Sequence, residues 1–236
     1  MSISQNLERV RQQVAEAATH VGRSPHDVAL MAVSKTHTVE ALLEARSAGQ
    51  TLFGENRVQE WQTKHAELTA SPQRKSADTV SVHLIGPLQS NKSARAAELF
   101  SAIDSIDSVK IAIRLNAHAA KLGRTLPVLI EVKLSHEVAK HGAPPESLET
   151  MLCEISTLHN IEVRGLMTVP PFFTEAHDAR PYFARLRQLR DEFAATYPNL
   201  TELSMGMSHD FRVAIEEGST CVRIGTAIFG TREYVR

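Results

Sequence analysis

The sequence predicts one α/β barrel of eight parallel strands with an additional helix at its amino terminus. Three observations predict this fold class. Short apolar runs rich in β-forming residues alternate eight times with segments of helical apolar spacing, and glycine or proline bounds many of these runs. The length of 236 residues suits a barrel of this kind, so residues 1–236 are expected to form a single domain. An open doubly wound sheet is the competing fold, but no Gly-x-Gly-x-x-Gly motif follows the first apolar run.

The predicted elements follow one another in regular order. The first helix is amphipathic, since apolar residues recur at helical spacing at Ile3, Leu7, Val10 and Val14. Strands are predicted at residues 28–33, 51–53, 82–85, 100–103, 127–132, 161–167, 203–205 and 221–224. Helices are predicted at residues 39–48, 58–68, 91–99, 109–122, 146–158, 178–197 and 211–217, with a short helical turn after Gly225. Residues 69–80 are predicted to form a polar surface loop.

Composition excludes several classes of partner. The formal net charge of -1 gives no basic excess for nucleic acid or anionic membranes. No long uncharged apolar run predicts a membrane span, and the amphipathic first helix is unlike a signal peptide. Two isolated cysteines, Cys153 and Cys221, do not indicate a disulfide framework and are expected to be buried reduced thiols. The expected compartment is therefore the cytoplasm.

Residues that follow the predicted strands are the candidate site residues, because barrels bind ligands with the loops at the carboxyl ends of their strands. Lys35 follows the first strand, where desolvation would favour the neutral amine, a nucleophile towards carbonyl groups. An ordinary solvated lysine at a helix entrance is the alternative. Asn56 follows the second strand and offers both a donor and an acceptor, although a plain helix N-cap is equally consistent with its place. By the same argument His83 and Lys92 are expected to point towards the mouth, without an assigned role.

The last two strands lead into loops suited to a phosphate group. Barrels often hold a phosphate with the loops after strands seven and eight and with the start of a short helix. Gly206 and Gly225 allow close approach of the backbone, Ser208 and Thr226 supply hydroxyls, and N–H groups at helix starts point at an anion. Simple capping of the next helix by Ser208 or Asp210 is the alternative.

Arg223 lies on the eighth strand just before this predicted phosphate site. An arginine in a barrel mouth needs an acceptor, because it stays charged and carries only donors. Paired with a carboxylate it would be structural, whereas beside a pyridine nitrogen it would donate to the lone pair and leave the ring a weak electron sink. Together with Lys35 and a site for one phosphate, this arginine describes a site for pyridoxal phosphate (PLP).

Six segments spread over nearly the whole chain also carry a resemblance to a known family. They are AVSKT at 32–36, FGENRVQE at 53–60, HLIGPLQSNK at 83–92, RGLMT at 164–168, LSMGMS at 203–208 and VRIGTAIFG at 222–230. With these segments the sequence resembles the pyridoxal phosphate homeostasis proteins, whose barrel is related to the N-terminal domain of alanine racemase.

The resemblance implies a role for each candidate residue. It implies that Lys35 holds PLP as a Schiff base, that Arg223 faces the pyridine nitrogen and that Asn56 lies beside the cofactor. It further implies that the phosphate is held by Ser208, Gly225 and Thr226, with Ser204 nearby. No catalytic residue and no metal site is expected.

The function that follows is a carrier, which keeps PLP bound and supplies it to PLP-dependent apo-enzymes, as a monomer or weak dimer. A racemase-like enzyme is the alternative. It needs a second base, which related racemases take from a tyrosine of an additional domain. This chain is expected to end after the eighth strand, and none of its three tyrosines (Tyr182, Tyr197 and Tyr234) follows a predicted strand. An aldolase in which Lys35 attacks the carbonyl of a sugar phosphate is a third hypothesis, but it does not explain why Arg223 lies between Lys35 and the predicted phosphate site.

Overall fold

The computed structural model describes residues 2–70, 80–135, 137 and 141–230. Its eight strands pair in parallel, each with the next along the chain and the last with the first, so that the sheet closes into a barrel. The strands are β1 Ala29–Val33, β2 Leu52–Glu55, β3 Ser81–Leu84, β4 Ala102–Ile106, β5 Leu126–Glu131, β6 Ile161–Met167, β7 Glu202–Ser204 and β8 Cys221–Ile224. Parallel pairing brings all eight carboxyl ends to one end of the barrel, which we call the mouth.

The helices pack around the barrel. They are α1 Ile3–His20, α2 Val39–Ser47, α3 Val58–Ala70, α4 Ser93–Leu99, α5 Val109–Lys121, α6 Leu148–Ile155, α7 Arg180–Ala194, α8 Phe211–Glu216 and α9 Thr226–Phe229. Helix α1 begins with a capping box, in which the side chains of Ser2 and Gln5 each accept the backbone N–H of the other residue. Its apolar face buries Leu7, Val10 and Val14, as the spacing predicts.

The predicted fold class and the order of its elements are confirmed, while several boundaries move. Among the strands the largest change concerns β4, predicted at 100–103 and observed at Ala102–Ile106. Phe100 instead caps α4, and Asp104 and Ser105 are buried inside the strand. Two consecutive polar residues conceal a strand from apolar pattern analysis. Of the predicted polar loop at 69–80, residues 71–79 lie outside the described part of the chain.

One expectation about the cysteines is wrong. Cys221 on β8 is buried, and burial raises the pKa of its thiol to about 12. Cys153, however, is exposed on α6. The apolar face of that helix is formed by Leu148, Met151, Leu152 and Ile155, which turns Cys153 outwards. No helix within the described ranges has the length and apolar character needed to cross a membrane.

Candidate functional site

A cleft of about 380 Å³ opens at the mouth of the barrel. It falls within the range of roughly 300–1,000 Å³ that is typical of small-molecule sites. Its lining residues come from the ends of β1, β2, β3, β6, β7 and β8: they are Val33, Lys35, His37, Asn56, Ile85, Val169, Met207, Ser208, His209, Arg223, Gly225 and Thr226. Six of the seven predicted site residues therefore meet at one cleft, and Ser204 is the exception.

Lys35 lies in the turn that follows β1 and is half-buried. The next residue, Thr36, has a left-handed backbone with φ of 67°, which no other non-glycine residue of the described chain adopts. A β-branched residue in this region is strained, and such strain costs about 1–3 kcal/mol. The turn is held by a hydrogen bond from His37 N to Ser34 O and by the side chain of Glu60, which accepts the N–H of Thr36. The backbone on both sides of Lys35 is thus fixed by its surroundings.

The loops after β7 and β8 meet at Ser208. Its hydroxyl oxygen accepts a hydrogen bond from Thr226 Oγ1 at 3.2 Å and a longer one from the backbone N–H of Ala227 at 3.4 Å. Asp210 accepts the N–H of Met207 at 2.6 Å and makes no side-chain cap to α8. Neither Ser208 nor Asp210 is therefore the simple cap of α8 that the sequence left open.

Gly206 and Gly225 in these two loops differ in whether packing requires a glycine. Gly206 has φ of 95°, and an added Cβ would lie 2.6 Å from Cβ of Ala214, so packing alone requires glycine. At Gly225 an added Cβ would lie 3.4 Å from Val33 O, which is an ordinary contact. Gly225 and Val33 both line the cleft. Packing alone therefore does not require glycine at 225.

Arg223 reaches the cleft from within the barrel and is 4% exposed. Its Nη1 donates to Ser204 Oγ at 2.7 Å, and its Nη2 donates to Thr168 O at 2.8 Å. Burial lowers the pKa of the guanidinium, and the surrounding acidic groups oppose this effect. Both acceptors are neutral oxygens, so these two hydrogen bonds fix the guanidinium without a carboxylate partner. Ser204 is fully buried and supports Arg223; it does not line the cleft.

Glu131, which the sequence reading did not select, lies close to Arg223. It ends β5 and is 8% exposed. Burial raises its pKa to about 7, although the positive charge of Arg223 opposes the increase. The sequence signal that could have identified Glu131 as a residue near the mouth is its place as an acidic residue at the end of the apolar run at 126–131.

Asn56 stands at the rim between two clefts. Besides the main cleft it lines an open neighbouring cleft of about 710 Å³, together with Arg57, Gln59 and Lys92. An added Cβ on Gly86 would lie 2.3 Å from Asn56 O, so this close approach of two loops needs glycine. Lys92 lines the neighbouring cleft and does not line the main one.

The expectation that His83 points to the mouth is wrong. His83 Nδ1 lies 3.1 Å from Asp104 Oδ1. The side chain lines a cavity of about 150 Å³ at the amino end of the barrel, together with Arg164 and Glu202. Strand ends indicate which residues lie near a mouth, but interior side chains form layers, and His83 belongs to a deeper one. The described residues contain no group of three or more His, Cys, Asp or Glu side chains arranged to hold a metal ion.

The closed barrel and its ligand-sized mouth define a class, the α/β barrels that bind a small molecule with their strand-end loops. Residues 5–233 match the family model described as alanine racemase, N-terminal domain. Within that family, the chain belongs to the pyridoxal phosphate homeostasis proteins.

Two relatives illustrate the extent of the similarity. The pyridoxal phosphate homeostasis protein of Vibrio cholerae is 44% identical over 235 residues, which are 100% of this chain and 98% of the relative. The protein of the same name from Escherichia coli K12 is 42% identical, over 98% of this chain and 97% of the relative.

Solved structures show the same barrel. PipY of Synechococcus elongatus, solved with PLP bound, is 40% identical with a TM-score of 0.84, over 97% of this chain and 100% of its own. Alanine racemase of Clostridium difficile is 15% identical with a TM-score of 0.64, and the similarity covers 95% of this chain but 57% of the racemase. The racemase shares the fold, and this chain corresponds to about half of its length.

Proposed function

We propose that this protein binds PLP at the mouth of the barrel, holds it as a Schiff base on Lys35, and buffers and supplies it to PLP-dependent apo-enzymes in the cytoplasm. One observation carries the proposal: an amine, a pair of hydroxyls and a guanidinium converge on one cleft of about 380 Å³. The names of the homologous proteins and the PLP-bound structure of PipY support it.

The groups that line the cleft fit the chemistry of PLP. Ser208 and Thr226 are within hydrogen-bonding distance of each other, so both hydroxyls can address one phosphate group. Gly225 lines the cleft next to Thr226. A bound PLP would supply an electrophilic aldehyde, and Lys35 is the amine of the cleft that would hold it covalently and reversibly. The same lysine would therefore allow both retention and release.

The electrostatics favour holding the cofactor over turnover. Arg223 is fixed by two hydrogen bonds and presents a positive charge to the cleft. A cation that faces the pyridine nitrogen keeps that nitrogen unprotonated, which limits the ability of the ring to stabilise a carbanion. Racemase chemistry needs that stabilisation and a base on each face of the substrate.

Neither of the two described tyrosines lines the cleft. Tyr182 is on α7 and its ring lies 5.7 Å from the ring of Phe173. Tyr197 lines a groove with Ile161, the first residue of β6, near the amino end of the barrel. Tyr234 lies outside the described residues. The carrier proposal therefore assigns no role to a tyrosine base.

The test is the visible absorption spectrum of the purified protein before and after borohydride reduction, with peptide mapping of the reduced product. The proposal predicts a reducible chromophore on the peptide that contains Lys35. Lys35→Ala should abolish it and keep the melting temperature, because removal of a half-buried lysine at a cavity rim costs little stability. Lys110→Ala, an exposed lysine of α5, is the matched control and should retain the chromophore.

A second measurement separates carriage from catalysis. The loaded protein is mixed with a PLP-dependent apo-enzyme, and recovery of that enzyme's activity is followed beside the same amount of free PLP. Transfer supports the carrier role. Racemase activity that is lost in Lys35→Ala would favour the enzyme instead, and a missing chromophore after addition of PLP would overturn the proposal.

A further inference from the structure

A buried ion-pair network lies directly beneath the turn that carries Lys35. Lys64 on α3 donates from Nζ to Glu55 Oε1, Glu60 Oε1 and Ser34 O, each at 2.8 Å. The side chains of Lys64 and Glu55 are 9% and 0% exposed, and that of Glu60 is 25% exposed. An ammonium group has three N–H donors, and all three are used here.

This network holds both chain neighbours of Lys35. On one side, Ser34 gives its carbonyl oxygen to Lys64 and donates its hydroxyl to Glu55 at 2.8 Å. On the other side, Glu60 accepts the backbone N–H of Thr36, the residue with the left-handed backbone. Strained backbone persists only where the surroundings enforce it. The hydrogen bond that Thr36 N–H donates to Glu60 therefore helps to keep Thr36 in this conformation, together with the bond from His37 N to Ser34 O.

The charge on Glu60 strengthens that bond. Burial alone would raise its pKa, but hydrogen bonds from Lys64 and Thr36 lower it below the ordinary value, so the carboxylate is ionised at neutral pH. Hydrogen bonds to an ionised acceptor are about twice as strong as neutral ones. If Thr36 relaxed to negative φ, the chain that follows Lys35 would change direction, and the turn that carries the amine would lose its fixed geometry.

We propose that Glu60 is a positioning residue, which aims Lys35 at the cleft by holding the left-handed turn at Thr36 against α3. The identity of the molecule that Lys35 captures rests on the proposed function. Glu60 does not line the cleft; in this proposal it determines how well the amine is aligned with the phosphate-binding loops for the same molecule. Misalignment of this kind lowers rates steeply, since a displacement of about 1 Å can cost a hundredfold.

The experiment compares Glu60→Ala with Glu67→Ala, which removes an exposed carboxylate of the same helix. Glu60→Ala leaves Lys64 its bonds to Glu55 and Ser34, so we expect it to fold. Hydrogen exchange of the PLP-free protein should become faster at the amide of Thr36 in Glu60→Ala only. The rate at which PLP is captured should fall about tenfold or more in this variant, whereas Glu67→Ala should match the wild type.

A phosphate-free reagent separates positioning from simple reactivity. Trinitrobenzenesulfonate modifies exposed amines without using the phosphate-binding loops, so its rate at Lys35 should change less than about twofold in Glu60→Ala. An equal loss with both reagents would overturn the positioning role and indicate a change in the amine itself. If Glu60→Ala does not fold, Glu60→Gln takes its place, with an expected loss of about threefold because the charge is removed but an acceptor stays.

Rescue at Thr36 completes the test. Asparagine adopts left-handed backbone more readily than threonine, so Thr36→Asn added to Glu60→Ala should restore most of the lost capture rate. A merely structural anchor for α3 would not be rescued at this residue. If the wild type forms the chromophore on Lys35 and Glu60→Ala captures PLP equally fast, the positioning inference fails alone. If the wild type forms no chromophore, it is the proposed function that fails.

Discussion

The two ends of the barrel contain similar side chains but arrange them differently. At the mouth, Lys35 and Arg223 line an open cleft of about 380 Å³. At the amino end, His83, Asp104 and Glu202 line a cavity of about 150 Å³. The second volume lies below the range of roughly 300–1,000 Å³ of small-molecule sites.

The difference lies in how the charges are paired. At the amino end, His83 Nδ1 is hydrogen-bonded to Asp104 Oδ1 at 3.1 Å, and Arg164 Nε donates to Glu162 Oε2 at 3.0 Å. These basic and acidic side chains are therefore directly paired. At the mouth, both of these hydrogen bonds of Arg223 go to neutral oxygens, and the acidic groups around it act through their charges alone. The charged groups of the amino end are thus joined in direct ion pairs, whereas the guanidinium of Arg223 is not hydrogen-bonded to a carboxylate in these two bonds.

The largest expected effect comes from replacing the buried arginine at the mouth. Arg223→Leu leaves the hydroxyl of Ser204 and the carbonyl of Thr168 without their donor. Each buried polar group left unpaired costs roughly 1–3 kcal/mol, so the free energy of unfolding should fall by about 3 kcal/mol and PLP binding should weaken at least about tenfold. Urea unfolding of the PLP-free protein and titration with PLP measure the two effects.

Arg164→Leu at the amino end is the matched control for Arg223→Leu. Its side chain is 46% exposed, and such surface pairs are worth up to about 1 kcal/mol. Equal effects of the two substitutions on stability and PLP binding would contradict the contrast between the ends.

The next effect depends on pH and concerns Glu131. Its pKa is raised to about 7 by burial, above the value of about 4.3 in an unfolded chain. Between these values the folded state binds more protons, so its stability decreases as the pH rises from about 4 to 7. Glu131→Gln removes this loss. Relative to the wild type, the variant of the PLP-free protein should gain more stability at pH 8 than at pH 5, with a difference of up to roughly 3 kcal/mol.

Melting temperatures at the two pH values test the prediction for Glu131. Glu149→Gln replaces an exposed carboxyl of α6 and serves as the control, with no expected pH-dependent gain. A gain from Glu131→Gln that is the same at pH 5 and pH 8 would show that the carboxyl does not titrate in this window.

The smallest effect is expected at the amino end. Burial would lower the pKa of His83, but the charge and hydrogen bond of Asp104 outweigh it and raise this pKa. The contribution to stability is therefore present below the unfolded pKa of about 6.5 and is lost as the pH rises through the higher folded value. Asp104→Asn should cost about 1–2 kcal/mol at pH 5.5 and less at pH 8.5. Because Asp104 acts on Arg223 only through its charge, PLP capture should weaken much less than in Arg223→Leu. An equal loss of PLP capture in the two variants would remove the functional distinction between the two ends.

Sequence reasoning predicted half of the residues that line the cleft at the mouth. Lys35, Arg223 and Thr226 follow or end strands whose apolar character is clear, and a parallel barrel places all such residues at one end. Ser204 shows the limit of this approach, because a strand-end serine can face the cleft or lie behind it. Only the observed contact assigns it to the support of Arg223.

The network around Lys64 could not be predicted in the same way. Ser34, Glu55 and Glu60 are separated along the chain, and their contact depends on how α3 packs against the ends of β1 and β2. The left-handed backbone of Thr36 has no signal in the sequence either, since threonine is a residue that disfavours it.

The sequence by itself determined the barrel, its order of elements and the end at which Lys35 and the loops after β7 and β8 lie. These follow from local periodicity and from the rule that parallel strands share one direction. The tertiary structure decided which interior layer each side chain occupies, as with His83, and which buried charges meet, as with Glu60 and Lys64. The physical reason is that strand stagger and helix packing are set by closure of the whole barrel, which no local segment of sequence encodes.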